Sequence, residues 1–353
     1  MANPYVFIGG CARSGTTLLR QILNTHPQIV ITRESHWIPR VFASRKGITP
    51  EGFVTPKLIP HLLKHPKFAQ LGLSEEELVE LLENNALVSY ADFTSRIFDL
   101  YGQRCGKTLV GDKTPGYVRL IDMLHTLWPR ARFVQLIRDG REVCLSVADW
   151  RKAPQKKPGV FSTWKDDPVS TTAFWWELNV RLGRDAGKRL GPELYYEIRY
   201  ESLVTNPGEE CAALCAFLQV PYDEVMLRFH EGRIKHEWRK KAGFSLSVEE
   251  PLRPITPGLR DWRSQMPGEN VERFEAAAGS LLDELGYARG VPRPRSGALE
   301  HASEIRRRLA EDEKWVGILA RASGGTPDPA SRDSGLLAKS QFAVGSQKGR
   351  TQT

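Results

Sequence analysis

The sequence predicts an α/β fold, a central parallel sheet flanked by helices on both faces. Three observations predict it. Short apolar runs alternate along the chain with stretches whose apolar residues recur at helical spacing, the pattern of strand–helix–strand units. The first run, Tyr5-Val6-Phe7-Ile8, leads into a glycine-framed loop and then a periodic segment carrying Leu18, Leu19, Ile22 and Leu23. Finally, Arg13, Glu34, Lys113 and Arg138 each fall just after a predicted strand, where open parallel sheets bind ligands.

The elements follow in order. Gln28 to Thr32 reads as the second strand, and residues 41–103 as a mostly helical insertion. Within it, Ser74-x-x-Glu77 is a capping box ahead of Leu78, Val79, Leu81 and Leu82. A third strand, Thr108 to Gly111, ends at Asp112-Lys113-Thr114-Pro115, and a helix is expected over 116–127. Arg132 to Ile137 is a strongly apolar strand that ends at Arg138-Asp139-Gly140, before a helix over 141–150. Residues 151–168, rich in Pro, Lys and Asp, read as a loop. A helix over 170–188 and a strand from Leu194 to Arg199 follow. Phe274 to Leu285 is an amphipathic helix stopped by Gly286.

These signals define one domain over 1–289. Residues 290–353 read as a linker, a weakly amphipathic helix over 298–322 whose apolar stripe is interrupted by Asp312, and a disordered Gly/Ser/Pro/Gln-rich tail over 323–353. On that reading, truncation after 290 would leave stability nearly unchanged.

Composition narrows the function classes. The 353-residue chain is 41% hydrophobic, enough for a sizeable core, and half of its net charge of +8 lies beyond residue 289. The remaining excess suits an anionic ligand better than nucleic acid, which calls for a clustered basic face. No apolar run is long enough to span a membrane, and the first strand begins at about residue 4, leaving no room for a targeting segment. The five cysteines, Cys11, Cys105, Cys144, Cys211 and Cys215, are odd in number and scattered, which points to reduced thiols in a cytoplasm. Cys211/Cys215 and His61/His65 have one-turn spacing, but no further ligand pair completes a metal set nearby, so no metal is expected.

Two loops carry the chemistry. Strand, Gly-rich loop and helix N-terminus together form an anion site, because free backbone N–H groups and the helix dipole converge there. Gly10-x-x-x-x-Gly15 has the spacing of a phosphate-binding loop, but Thr16 stands where its Lys belongs, and the loop's one cation is Arg13. A nucleoside triphosphatase needs that Lys and a Mg²⁺ site. The loop therefore suits a phosphate or sulfate ester, within a P-loop-like three-layer fold. The second loop is Arg138-Asp139-Gly140-Arg141 with Ser146, in which a loop Arg and a Ser two helical turns on can reach one phosphate.

In this order and about 120 residues apart, the two motifs resemble those of the sulfotransferase superfamily, which uses 3′-phosphoadenosine 5′-phosphosulfate (PAPS) and releases adenosine 3′,5′-bisphosphate (PAP). A closer resemblance is to the protein-tyrosine sulfotransferases, through His26-Pro27, Glu34, Ile38-Pro39-Arg40, Asp112-Lys113-Thr114-Pro115, and Ser247 and Arg253 before Trp262. Arg199-Tyr200-Glu201-Ser202-Leu203 with Asn206-Pro207 resembles a segment common across the superfamily. The likeness spans about 5–287. The chain departs from the family where Arg253 replaces a Lys and His36-Trp37 replaces a more basic pair, and it shows no counterpart of the Golgi enzymes' membrane anchor.

The resemblance implies sulfuryl transfer from PAPS to a hydroxyl of a protein tyrosine or other phenol, a glycan or an alcohol. Glu34 is the expected base, Lys113 the group at the leaving oxygen, and Arg13 with Ser14, Gly15, Thr16 and Thr17 the 5′-phosphosulfate cradle. Arg138 and Ser146 are expected on the 3′-phosphate. Tyr200 is expected at the donor, and Ser247 and Arg253 close over it. The 41–103 insertion and Trp37, Trp150, Trp164 and Trp175 are placed on the acceptor side, although aromatic residues more often fill cores. The rival readings are a small-molecule kinase using Asp112 as its Mg²⁺ acid and a non-catalytic scaffold acting through a basic tail. Oligomeric state is not legible in the sequence.

Overall fold

The computed structural model describes residues 4–82, 87–151, 161–231, 254–256 and 258–322. Five strands form one sheet: β1 (Val6–Gly10), β2 (Ile29–Thr32), β3 (Leu109–Lys113), β4 (Arg132–Ile137) and β5 (Tyr195–Arg199). Their order is β2-β3-β1-β4-β5, and every pairing is parallel. The expected α/β class and parallel sheet are thus present.

Every residue of β1 to β4 is buried, as befits parallel strands covered on both faces. Side chains alternate between the two covers. Val6 and Ile8 pack with Leu19, Ile22 and Leu23 of the helix Thr16–Thr25 and with Leu214 of the helix Pro207–Leu218. Tyr5 and Phe7 face the other way, among Tyr90, Phe93 and Ile97 of the helix Tyr90–Cys105. A further apolar cluster joins Trp176 and Val180 of the long helix Pro168–Leu190 to Phe274, Leu281 and Leu282 of the helix Gly268–Glu284. That last helix begins six residues before the expected Phe274.

The insertion is less uniformly helical than its sequence suggests. It holds short helices, Leu58–Leu63 and Glu75–Glu80, before Tyr90–Cys105, and two antiparallel bridges, Ile48 with Val54 and Phe53 with Ser89. The capping box forms as expected: Ser74 Oγ accepts from the Glu77 amide at 3.3 Å, and the Glu77 carboxylate accepts from the Ser74 amide at 2.9 Å.

The stretch after 290 departs from the expected linker and single helix. Two helices stand there, Ser296–Ala310 and Glu313–Ala322. Asp312, which interrupts the stripe, starts the second helix by accepting from the amides of Lys314 and Trp315 at 3.0 and 3.2 Å. Ala302, Ile305 and Leu309 of the first helix are buried in the cluster of Trp176 and Phe274. Glu275 accepts from the amides of Gly290 and Val291, at 2.6 and 3.1 Å. His301 reaches the buried Asp167 at 2.8 Å, and Arg306 reaches Glu177 at 3.0 Å. The weak periodicity hid this docking because three small contacts and a set of polar ties hold the helix, not a broad apolar stripe. Residues 323–353 lie outside the described residues. Truncation after 290 would therefore expose core and take from Glu275 the Val291 amide, and a fall of many degrees in the thermal midpoint is expected. Ile305→Ala alone should lower the unfolding free energy by about 2–5 kcal/mol in chemical denaturation. A loss below about 0.5 kcal/mol would mean that the helix is not part of the cooperative unit.

Candidate active site

The site is built at the carboxyl ends of β1, β3 and β4. The loop after β1 needs glycine at two points. A Cβ on Gly10 would sit 2.5 Å from the carbonyl oxygen of Leu136 in β4. Gly15 has φ 100°, and a Cβ there would lie 2.6 Å from the Tyr200 ring. Gly15 also starts the helix Thr16–Thr25, and no side chain caps it. The first amides of that helix have no partner within it and point toward any bound anion. The Ser14 amide is already donated to the Cys11 carbonyl at 3.1 Å, so the cradle is formed by the amides from Gly15 onward. Ser14 is fully buried, and its hydroxyl finds no hydrogen-bond partner among the described residues. An orphan hydroxyl beside a helix start fits a ligand oxygen.

Arg13, with φ 77°, turns its guanidinium across the site. Its Nε donates to Ser146 Oγ at 3.1 Å, linking the first loop to the second motif 133 residues away. Loss of hydration, followed by the like charges of Arg260 and Arg138, pushes Arg13 below its ordinary pKa.

Across the sheet, Lys113 is the last residue of β3 and is buried. Its Nζ donates to Glu34 Oε1 at 2.8 Å and to Thr17 Oγ1 at 3.2 Å, so it stands between the carboxylate and the loop. His36 Nε2 lies 3.2 Å from Glu34 Oε2. The His36 hydrogen bond, with the Lys113 charge beside it, holds the Glu34 carboxyl at about 2, against burial that pushes it up. His36 has φ 52° at the start of the helix Trp37–Ser44, a left-handed turn that brings its ring back onto Glu34.

The second motif follows β4. Arg138 stacks its guanidinium 4.0 Å from the Tyr200 ring centroid and donates Nε and Nη2 to Glu142 Oε2 at 2.9 and 2.7 Å. A guanidinium has five donors, so this pairing leaves others for a phosphate. Ser146 is buried two turns along the helix Gly140–Arg151. Asp139, Gly140 and Arg141 serve the turn itself. Arg141 is fully buried between Asp139 Oδ2 at 2.6 Å and Glu275 Oε1 at 2.6 Å, with Trp262 stacked 3.6 Å away. Glu201 accepts from the Asp139 amide at 2.8 Å.

This geometry joins Arg13, Ser14, Gly15, Thr17, Glu34, Lys113, Arg138, Ser146 and Tyr200 in one connected site, with Thr16 buried at the start of the helix. Residues 4–224 match the model of the Sulfotransferase family. The chain belongs to that family. Among curated sulfotransferase relatives, a protein-tyrosine sulfotransferase of Drosophila melanogaster is 25% identical over 297 residues, covering 80% of this chain and 52% of its own length. Protein-tyrosine sulfotransferase A of Caenorhabditis elegans is 25% identical over 296 residues, covering 84% of this chain and 70% of its own length. The chain thus spans about half of the first relative. The sulfotransferase domain of the Synechococcus PCC 7002 olefin synthase shares the fold, with a TM-score of 0.55 at 23% identity over 82% of this chain and 97% of that one.

Other expected sulfotransferase site residues fall elsewhere. Ser247 and Arg253 lie outside the described residues, as does the side chain of Trp150. Trp37 lines no cleft: it is buried edge-on against Phe68, with ring centroids 5.2 Å apart. Trp175 packs on Phe161 and Trp315 and lies 4.7 Å from the Arg119 guanidinium. Asp112 is fully buried and accepts the hydroxyls of Thr32 and Thr114, so it is not offered to the loop as a metal acid. Sequence reading missed His36 as a partner of Glu34, and missed Glu142 and Arg260 altogether. Glu142, four residues after Arg138, was within reach of a helical-spacing argument. Arg260 had no local signal.

The Glu34 contacts make a pH prediction. Its folded pKa is depressed, so its ionisation contributes stability above the unfolded value near 4.5, and the contribution is lost as pH falls toward 2. With 37% of the side chain exposed, the stabilisation is small. His36→Ala should move the Glu34 carboxyl up toward the ordinary carboxylate range in a ¹³C NMR titration. A titration unmoved from about 2 would show that Lys113 alone holds it.

Proposed function

We propose that this protein transfers a sulfuryl group from PAPS to a hydroxyl acceptor by in-line displacement. The observation that carries the reading is the Arg13 to Ser146 hydrogen bond, 3.1 Å long, which brings the phosphosulfate loop and the 3′-phosphate motif into one site. Family membership supports the reaction class. The residues fit the donor: the orphan Ser14 hydroxyl, the uncapped helix start at Gly15, and the open donors of Arg13 and Arg138 all seek acceptor oxygens. PAPS, when bound, supplies an activated sulfuryl group on a bisphosphate that is already a good leaving group.

The chain's own work is to move a proton and neutralise charge. Glu34 Oε accepts the proton of the acceptor hydroxyl. Lys113 Nζ, held between Glu34 and Thr17, places its positive charge on the loop side, where negative charge grows on the leaving oxygen. The ion pair keeps Glu34 ionised at neutral pH and Lys113 aimed at the site. Arg13, the amides from Gly15 onward, and the Thr16 and Thr17 hydroxyls hold the 5′ end. Arg138 and Ser146 hold the 3′-phosphate, with Tyr200 as the platform beneath Arg138. Ser247 and Arg253, outside the described residues, remain part of this reading as donor-binding residues.

Acceptors of this reading are phenols, protein tyrosine included, glycans and alcohols, and the 41–103 insertion forms their side of the site. The names of the Drosophila and Caenorhabditis relatives favour tyrosine. The cytoplasmic setting belongs to this reading on the sequence alone, from five cysteines that are odd in number and scattered. The kinase reading loses its metal acid in the burial of Asp112. The basic-tail scaffold loses support too: in the helix Ser296–Ala310, Arg306, Arg307 and Arg308 are each paired with a carboxylate.

Two tests follow. PAP should raise the thermal midpoint, and ATP with Mg²⁺ should not; saturation at 100 times Kd is worth about 2.7 kcal/mol. Arg138→Ala should weaken PAP binding by about 1.5–3 kcal/mol while the fold survives. A chain indifferent to PAP would overturn the donor. In a ³⁵S-PAPS assay over tyrosine peptides, glycans, phenols and alcohols, Glu34→Gln should keep PAP binding and lose about 10²–10⁴-fold in turnover. More acidic phenols should partly rescue Glu34→Gln but not Lys113→Ala. Near wild-type turnover of an ordinary hydroxyl by Glu34→Gln would remove Glu34 as the base.

A further inference from the structure

Asp112, one residue before Lys113, is a fully buried carboxyl group that no step of the proposed mechanism uses. Among the described residues it pairs with no cation, and its partners are hydroxyls. Oδ2 accepts from Thr32, its register neighbour on β2, and Oδ1 accepts from Thr114 at 2.8 Å. The Ser35 and Tyr117 hydroxyls, 2.8 Å from each other, act on the same group. Burial pushes the Asp112 carboxyl up, against these four hydroxyls, which favour its charged form. A buried carboxylate without a cation is costly, and an apolar residue of similar size would fill the space at less cost. That cost points to a geometric role.

The hydroxyls lead to both working groups of the site. Thr114 Oγ1 has one proton, and it is donated to Asp112, which as a carboxylate only accepts. The Thr114 lone pairs are thereby left for the Ser35 amide, which donates to them at 3.2 Å. Ser35 lies between Glu34 and His36, and Thr32 lies two residues before Glu34 at the end of β2. The segment is thus held on both sides of Glu34, and both holds end on Asp112. Adjacent side chains of a strand point to opposite faces, so Lys113 turns away from Asp112. Its Nζ meets Glu34 Oε1 at 2.8 Å and Thr17 Oγ1 at 3.2 Å. The Thr114 amide donates to the Ile8 carbonyl of β1 at 3.1 Å, which ties this end of β3 beneath the loop after β1.

On the reading that Glu34 is the base and Lys113 the cation of sulfuryl transfer, we infer that Asp112 is a positioning residue for both: through Thr32, Thr114 and Ser35 it sets where the Glu34 carboxylate stands against the Lys113 ammonium. The spacing of proton acceptor and leaving-group cation is then fixed from behind the strand ends rather than by the ion pair itself. Glu34 is 37% exposed, so its pair with Lys113 is too weak to hold the geometry alone. The Asp112 network is dry, with Thr32, Ser35, Thr114 and Tyr117 all buried, and a satisfied buried network is rigid. Asp112 itself is too deep to meet a substrate and acts only through these neighbours.

The test joins a titration to steady-state kinetics on the full chain. Asp112→Asn keeps the shape but turns one acceptor oxygen into a donor, so Thr32 or Thr114 loses its partner. The Glu34 carboxyl, held at about 2 by His36 and Lys113, is expected to move up toward the ordinary carboxylate range in a ¹³C NMR titration. Turnover of an ordinary hydroxyl is expected to fall about 10- to 100-fold, as for a small misplacement of reacting groups, with PAP affinity kept within about twofold. Thr114→Val should act in the same direction and Thr114→Ser should restore both readouts, a pair that carries the test even where Asp112→Asn does not fold. A Glu34 titration unmoved from about 2 in Thr114→Val, or a Thr114→Ser chain as impaired as Thr114→Val, would overturn the inference, as would PAP affinity lost in step with turnover. A wild-type chain that transfers nothing from PAPS would instead bring down the donor reading. The Glu34 titration needs no donor and still decides the part played by Asp112.

Discussion

One aromatic ring spaces the two loops, after β1 and after β4, on which the proposed donor site is built. The Tyr200 ring stands at the end of β5, buried, with Gly15 pressed on it from one side and the Arg138 guanidinium stacked on it at 4.0 Å. Gly15 has no side chain because the ring occupies that space, and it accepts a left-handed backbone so that the helix can begin there. Arg138 gains an apolar, weakly negative platform that fixes its plane. Move the ring and both loops move. The separation of the two loops is therefore a packing dimension, set by the thickness of a phenol ring between a backbone and a guanidinium.

Around that spacer the charges are arranged in pairs, with one exception. Lys113 faces Glu34, Arg138 faces Glu142, and Arg260 faces Asp149. Among the described residues Arg13 makes no ion pair and rests on a serine hydroxyl. Paired cations can be held close together without a ligand, because each carboxylate lowers the local field. The unpaired one sets the sign of the site.

Behind the site, buried charge fixes the turn that carries Arg138. Arg141 is fully buried and is tolerated because Asp139 and Glu275 satisfy it and Trp262 stacks on it. Glu275 also holds the amides of Gly290 and Val291, so the segment leading into the helix Ser296–Ala310 and the turn that carries Arg138 share one carboxylate. Breaking such a pair from one side leaves a buried charge without its partner, a costly state. This is a physical reason for the C-terminal helices to be part of the domain rather than an appendage to it.

By itself the sequence determined the local elements and the kinds of chemistry. Four apolar runs became fully buried parallel strands, since runs that apolar are stable only when both faces are covered, and the fifth became a half-buried strand at the sheet's edge. Gly10 and Gly15 marked the anion loop through backbone requirements that only glycine meets, and the missing Lys at Thr16 set the loop apart from nucleotide triphosphatases. Local spacing also placed Arg138 and Ser146 on one helix start. Only the tertiary structure decided which charges meet. The order β2-β3-β1-β4-β5 sets β1 between β3 and β4, so the loop after β1 faces Lys113 on one side and Ser146 on the other. His36 reaches Glu34 through a left-handed turn that a histidine does not announce. Arg260 and the docked helix Ser296–Ala310 were invisible for the same reason: their partners, Asp149, Glu177 and Asp167, lie more than a hundred residues away. Periodicity reports which face of an element is buried, but not what the rest of the chain brings to cover it.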